Sequence, residues 1–191
     1  MDREKIRQSI CMLLDGLGID DKKEHFQKTP ERVTSAWVDE LCYGLGEKKF
    51  KLTTFPVAEN YERSMVVLQH IPVRSICAHH LLPFYGEATV AYIPDERLCG
   101  LSKLSRIVDY FARRPQIQEE LTTDITNFLC EQLTPLGAGV IIKATHMCMA
   151  MRGVSHDGIM TTSSLKGLFL SDGTVRAEFT ALAHAHSLNK L

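Results

Sequence analysis

Ser64-Met-Val-Val-Leu-Gln-His-Ile-Pro-Val-Arg-Ser-Ile-Cys77 and, beyond Ala78-His79-His80, Gly86-Glu-Ala-Thr-Val-Ala-Tyr-Ile-Pro94 decide the fold. The first stretch has short β-prone runs broken at Pro72. The second alternates and ends in the turn Pro94-Asp95-Glu96. Two such runs flanking a cysteine–histidine cluster predict an antiparallel pair with the cluster at its connection. Downstream, Leu101, Leu104, Ile107, Val108 and Phe111 form one helical stripe, ending near Arg114-Pro115. Ile117, Leu121, Ile125, Leu129 and Leu133 form a second, closed by Pro135-Leu136-Gly137. The apolar run from Gly139 to Met151 predicts a strand, and Val175 to Ala183 a last one. Upstream, Ile6, Ile10, Leu13, Leu14 and Leu17 predict a helix over 3–17, stopped at Gly18. Thr29-Pro30-Glu31 reads as an N-cap followed by a helix through Val33, Trp37 and Leu41 to about Gly44. The expected class is α+β, an antiparallel sheet covered by two long helices, with an N-terminal helical segment at 1–58 and the main domain at 59–191.

Composition narrows the function classes. Of 191 residues, 45% are hydrophobic and 24% charged, enough to bury a sizeable core. A net charge of -1 gives no global electrostatic case for a nucleic acid or membrane partner, so any anion site must be local. The six cysteines are dispersed. The charged start Met1-Asp2-Arg3-Glu4-Lys5 precedes no apolar signal segment, which predicts a cytoplasmic setting with reduced thiols.

The chemistry concentrates at Cys77-Ala78-His79-His80 and His146-Met147-Cys148. Cys77 and His80 have C-x-x-H spacing. His146 and Cys148, two apart on an expected strand, would point the same way. Burial as small hydrophobes accounts for either cysteine alone. It does not account for two cysteines each flanked by histidines, when three of the chain's eight histidines lie in these clusters. Mixed thiolate and imidazole ligands predict zinc with an open position, which lowers the pKa of its water to about 7. The remaining histidines are then free for proton transfer.

Three further patterns carry both a functional and an ordinary reading. Ser102, Lys103 and Arg106 open a predicted helix after Gly100; a phosphate there would complement both the free N–H groups and the cations, while a solvated basic face is the commoner case. Glu119 and Glu120 read most simply as first-turn acids, although a carboxylate there can also accept two N–H donors from a planar ring such as guanine. Arg152 is either a second anion contact or a surface arginine.

Taken together, these residues resemble the GTP cyclohydrolase I family of the tunnelling fold. The matching runs are Thr29-Pro-Glu-Arg-Val33, Cys77-x-His-His-Leu-Leu-Pro-Phe84, Gly100-Leu-Ser-Lys-Leu-x-Arg-Ile107, Phe111-Ala-Arg-Arg-Pro-Gln-x-Gln-Glu119, Thr145-His-Met-Cys-Met149, Met151-Arg-Gly-Val154 and Thr161-x-Ser163. The resemblance implies a zinc enzyme that opens the purine ring of GTP, releases formate and forms 7,8-dihydroneopterin triphosphate, the first step of tetrahydrofolate and pterin biosynthesis. It implies zinc on Cys77, His80 and Cys148, with His79 and His146 as catalytic proton-transfer groups. It assigns guanine to Gln118 and Glu119, and the triphosphate to Ser102, Lys103, Arg106 and Arg152. It further implies a homo-oligomer, a decamer of two stacked pentameric rings with active sites at subunit interfaces. The chain departs from the pattern at Ala78, where the family usually carries Glu, at Lys143, where an acid is common, and at Ser155-His156-Asp157, which replaces a basic, proline-containing turn.

Overall fold

The computed structural model describes residues 1–20, 22–46 and 50–185. The chain falls into two compact units, Met1–Lys48 and Lys49–Leu191. In the first, α1 (Arg3–Gly16) starts at Asp2, whose carboxylate accepts from Lys5 N. It stops at Gly18 (φ 70), beyond which Ile19 N donates to Leu14 O. α2 (Thr29–Ser35) begins at the residue expected to cap it, so Lys28 takes the cap position. It then widens into a π-helical turn, Ala36–Leu41, followed by a short 3₁₀ turn, so the predicted continuous helix to Gly44 is broken. The widening is visible in Cys42 N donating to Trp37 O, five residues back.

The second unit begins with β1 (Thr54–Pro56), followed by β2 (Val66–Cys77), β3 (Pro83–Ile93) and β4 (Arg97–Cys99). β1 pairs with β4, which places residues 54–56 with this unit rather than with the helical segment drawn to residue 58. α3 (Leu101–Ala112), β5 (Pro115–Gln116), α4 (Gln118–Leu133) and β6 (Gly137–His146) come next. The unit closes with the short turn α5 (Met147–Ala150), β7 (Ile159–Gly167), the turn α6 (Leu168–Ser171) and α7 (Gly173–His184). The sheet order is β5-β2-β3-β6-β7, antiparallel except for the short β2–β5 pair. α3 packs on β2, and α4 on β6 and β7. The expected α+β class, with two long helices over an antiparallel sheet, is the architecture found.

Alternation sorts the strands into two faces. Val90 and Tyr92 of β3 and Val140 and Ile142 of β6 join Leu104, Ile107, Leu121, Ile125 and Leu129 in the main core. Their neighbours Ala91, Ile93 and Ile141 face Phe169 and Phe179 on the other side. Gly139 makes that second contact possible: a Cβ there would lie 2.8 Å from the Phe169 ring and 2.9 Å from that of Phe179.

Three strand assignments change. Val175–Ala183 is not a strand but part of α7. Asp172 caps it by accepting from Thr174 N and Val175 N, and Val175, Phe179 and Ala183 fall at i, i+4, i+8 on one face. The true last strand, β7, was missed because its Thr161-Thr162-Ser163-Ser164 run carries no apolar alternation. The strand expected to reach Met151 ends at His146, and Cys148 sits in the α5 turn. β2 also runs on through Pro72, where no strand flanks its outer side among the described residues. The break lies just before it, in a bulge between Leu68 and Ile71, with His70 at φ 54 and its Nδ1 2.8 Å from Glu87 Oε2. Lys143 lies in register opposite Glu87, so the departure from the family's usual acid sets a cation against an acid across the strands.

Candidate active site

The turn joining β2 to β3 is held by its backbone. Cys77 N donates to Leu82 O at 2.8 Å, Leu81 N to Cys77 O at 2.9 Å, and Ala78 N to Gln116 O of β5 at 3.1 Å. Cys77 is buried, while Ala78, His79 and His80 are exposed. Across the sheet, Phe84 pairs with His146, which brings the end of β6 beside this turn. Cys148 Sγ then lies 3.7 Å from Cys77 Sγ.

Cys77, His146 and Cys148 offer ligand atoms that all lie within 4.8 Å of one another. Two thiolates on a tetrahedral zinc at about 2.3 Å each are separated by about 3.8 Å, close to the observed sulfur spacing. Burial, and after it the Cys77 sulfur, raise the Cys148 pKa. A cation between the sulfurs reverses that preference by stabilising both thiolates. The donor set therefore fits zinc. Burial also raises the thiols of Cys42, Cys130 and Cys99, the last to about 11, but these three stand outside the cluster.

Of the expected ligands, Cys77 and Cys148 are in this cluster and His80 is not. His80 stands on the exposed turn, and its Nε2 accepts from Arg152 Nη1 at 2.9 Å. His79 stays beside the cluster, its Nδ1 3.8 Å from Cys77 Sγ. His146 is anchored twice. Its ring stacks on Phe84, centroids 4.6 Å apart and 7° between planes, and its Nε2 lies 2.8 Å from Gln118 Oε1. Burial lowers its pKa, partly offset by the Glu119 carboxylate. A cavity of about 450 Å³ opens beside it, lined by Cys148, Met149, His156, Gly158 and Met160.

The candidate substrate contacts divide. Glu119 is exposed in the first turn of α4, whereas Gln118 is fully buried and its amide is already bonded to protein. Ser102 and Arg106 are exposed on α3, with Lys103 half-buried; the helix start has no side-chain cap and no acidic residue in its first turn. β3 runs away from the cluster and α3 runs back toward it, so residues 101–103 lie about 16 Å along the helix from the end that borders the Cys77 turn. Within one chain they do not join the cluster. Phe84, Gln116 and Thr162 were not singled out from sequence; all three fall within or beside the matching runs, and each supports a site residue.

The GTP cyclohydrolase I family model matches residues 6–184, a span that contains every residue of the site. The chain belongs to the GTP cyclohydrolase I family. Curated proteins named GTP cyclohydrolase 1 resemble it along nearly their whole length. That of Sulfurihydrogenibium sp. (strain YO3AOP1) is 43% identical over 187 residues, covering 97% of each chain. That of Aquifex aeolicus (strain VF5) is 45% identical over 183 residues, covering 95% of this chain and 97% of its own. That of Leptospira biflexa is 47% identical over 176 residues, covering 92% and 96%. The expected α+β class, an antiparallel sheet with two long helices over it, is the arrangement described above. No helix among the described residues is long and apolar enough to cross a membrane.

Proposed function

We propose that the chain is a zinc-dependent GTP cyclohydrolase I that hydrolyses GTP to 7,8-dihydroneopterin triphosphate and formate. The observation that carries this reading is the sulfur pair 3.7 Å apart beside the doubly anchored His146, in a chain matched to the family over 6–184. Zinc held by Cys77, Cys148 and one imidazole supplies Lewis-acid activation of water. The resemblance gives the third ligand as His80; proximity gives it as His146. Metal content of His80→Asn and His146→Asn separates the two, since the variant that loses the ion names the ligand.

The remaining residues bind the nucleotide and handle protons. Glu119, exposed at the start of α4, accepts the paired N–H donors of guanine. With guanine so placed, His146 serves proton transfer at the imidazole part of the base. His79, beside Cys77, serves proton transfer during ribose opening. Ser102, Lys103, Arg106 and Arg152 hold the triphosphate, the first three with the free N–H groups of the α3 start. The distance of Ser102 and Lys103 from the cluster within one chain, while Arg152 stands beside His80, supports a site completed by a second copy. That fits a homo-oligomer of two stacked pentameric rings, as does the outer edge of β7, which no strand pairs among the described residues. Free thiols at all six cysteines fit a cytoplasmic setting.

The test is incubation of the purified protein with GTP and zinc, following formate and, after oxidation, neopterin fluorescence. Both products are expected. Formate or a formamide without pterin would assign a paralogue that stops at ring opening. Bound GTP with neither product would overturn the reading.

A further inference from the structure

We infer that Gln118 is a positioning residue that locks His146 as the Nε2–H tautomer, leaving Nδ1 as the nitrogen available to the site. Gln118 is fully buried at the start of α4. Its Nε2 lies 3.0 Å from Ile142 O, 3.1 Å from Met160 O and 3.0 Å from Thr162 Oγ1. Backbone carbonyls only accept, so the amide nitrogen must face them and Oε1 must face His146. An amide flipped the other way would set its oxygen against two carbonyls in a dry site. An amide oxygen also only accepts, so the hydrogen in the 2.8 Å contact belongs to His146 Nε2.

The neighbouring hydroxyls close the circuit. Thr122 Oγ1 donates to Gln118 O at 2.7 Å, which spends its hydrogen. The 2.6 Å contact between Thr122 and Thr162 must then be donated by Thr162, which leaves a Thr162 lone pair for the Gln118 amide. The hydrogens of His146 Nε2, Thr162 and Thr122 are thereby assigned, and the two Gln118 amide hydrogens are shared among three acceptors. The circuit joins α4, β6 and β7, and Phe84 fixes the plane of the imidazole from the other side. Histidines that work at metal or proton-transfer sites gain their tautomer from such a partner.

This assignment departs from the guanine contact that the resemblance implies for Gln118, because the side chain has no free group to offer a base. It rests on the cyclohydrolase reading only for what His146 does, not for its tautomer. Two measurements test it. Nitrogen NMR of the histidine-labelled holoenzyme, with His146 assigned by its loss in His146→Asn, should find Nε2 protonated; a bare Nε2 with protonated Nδ1 overturns the inference. Gln118→Met keeps the volume and removes the circuit. It should lower kcat roughly ten- to a hundred-fold while KM for GTP stays within about two-fold. A raised KM with kcat retained would make Gln118 a substrate contact and overturn it. If the wild-type protein made no pterin, the proposed reaction would fall, and the NMR measurement on that same protein would still decide the tautomer.

Discussion

The two arms of the site are built in opposite ways. In the Cys77–His80 arm the backbone is fixed, by Leu82, Gln116 and the β2–β3 pairing, while both imidazoles stand exposed and His80 is bonded to Arg152. In the His146–Cys148 arm the imidazole itself is fixed, against Phe84 and Gln118. A half-buried ring with both its face and one nitrogen engaged cannot reorient without breaking the Gln118 circuit. An exposed ring on a rigid turn can. The difference gives one histidine whose reactive nitrogen is set before substrate arrives, and two whose positions are left to be set by metal, substrate or a second chain.

The largest expected effect comes from cutting the bond between the arms. Cys148→Ala should abolish metal retention and turnover together, read by elemental analysis alongside formate release; full activity without bound metal would sink the zinc assignment. Next is the support of the fixed arm. Phe84 is fully buried, so Phe84→Ala should cost about 3–5 kcal/mol in denaturant unfolding, beyond any effect on His146. A loss under about 1 kcal/mol would mean that the stack carries little of the packing.

The open arm should respond in binding rather than stability. Arg152→Ala removes an exposed partner, so unfolding should change by less than about 0.5 kcal/mol. KM for GTP should rise roughly ten-fold or more if Arg152 contacts phosphate, at about 1.5–3 kcal/mol for a charged hydrogen bond. An unchanged KM would return Arg152 to the protein surface. The smallest effect is expected at exposed Ala78. Ala78→Glu restores the family's usual acid, and should leave stability within about 0.5 kcal/mol and activity equal or higher. A sharp fall in turnover would mean that the pocket is built around alanine.

Much of this was legible in the residues because local signals and tertiary needs agreed. The β2–β3 pair with the cluster at its connection, and the two helical stripes at 101–112 and 118–133, follow from periodicity that the core also demands. Where the two diverged, the reading failed. β7 pairs along its whole length with β6, yet its threonines and serines offer no apolar rhythm. The mixed sequence of Val175–Ala183 passes for strand alternation, although its apolar positions also fit a helix capped by Asp172. Cys148 seemed to share a strand face with His146, because nothing local announced that β6 ends there. For Gln118 the resemblance implied a guanine contact, and nothing local announced a buried residue. Its burial depends on Ile142, Met160 and Thr162, contacts that span up to 44 positions of sequence.

The bulge at Gln69–His70 reaches further than its own hydrogen bond. Val66 and Leu68 are even-numbered and Ile71, Val73 and Cys77 odd-numbered, yet all contribute to the same core. In an uninterrupted strand those two sets would lie on opposite faces. The single extra residue at the bulge therefore acts as a phase shifter. Everything C-terminal to it is inverted, including the sulfur that faces Cys148 about 23 Å along the strand. Removing one residue there would leave an ordinary strand with Cys77 turned to the wrong side, so the parity of the reactive thiol is determined seven residues before it.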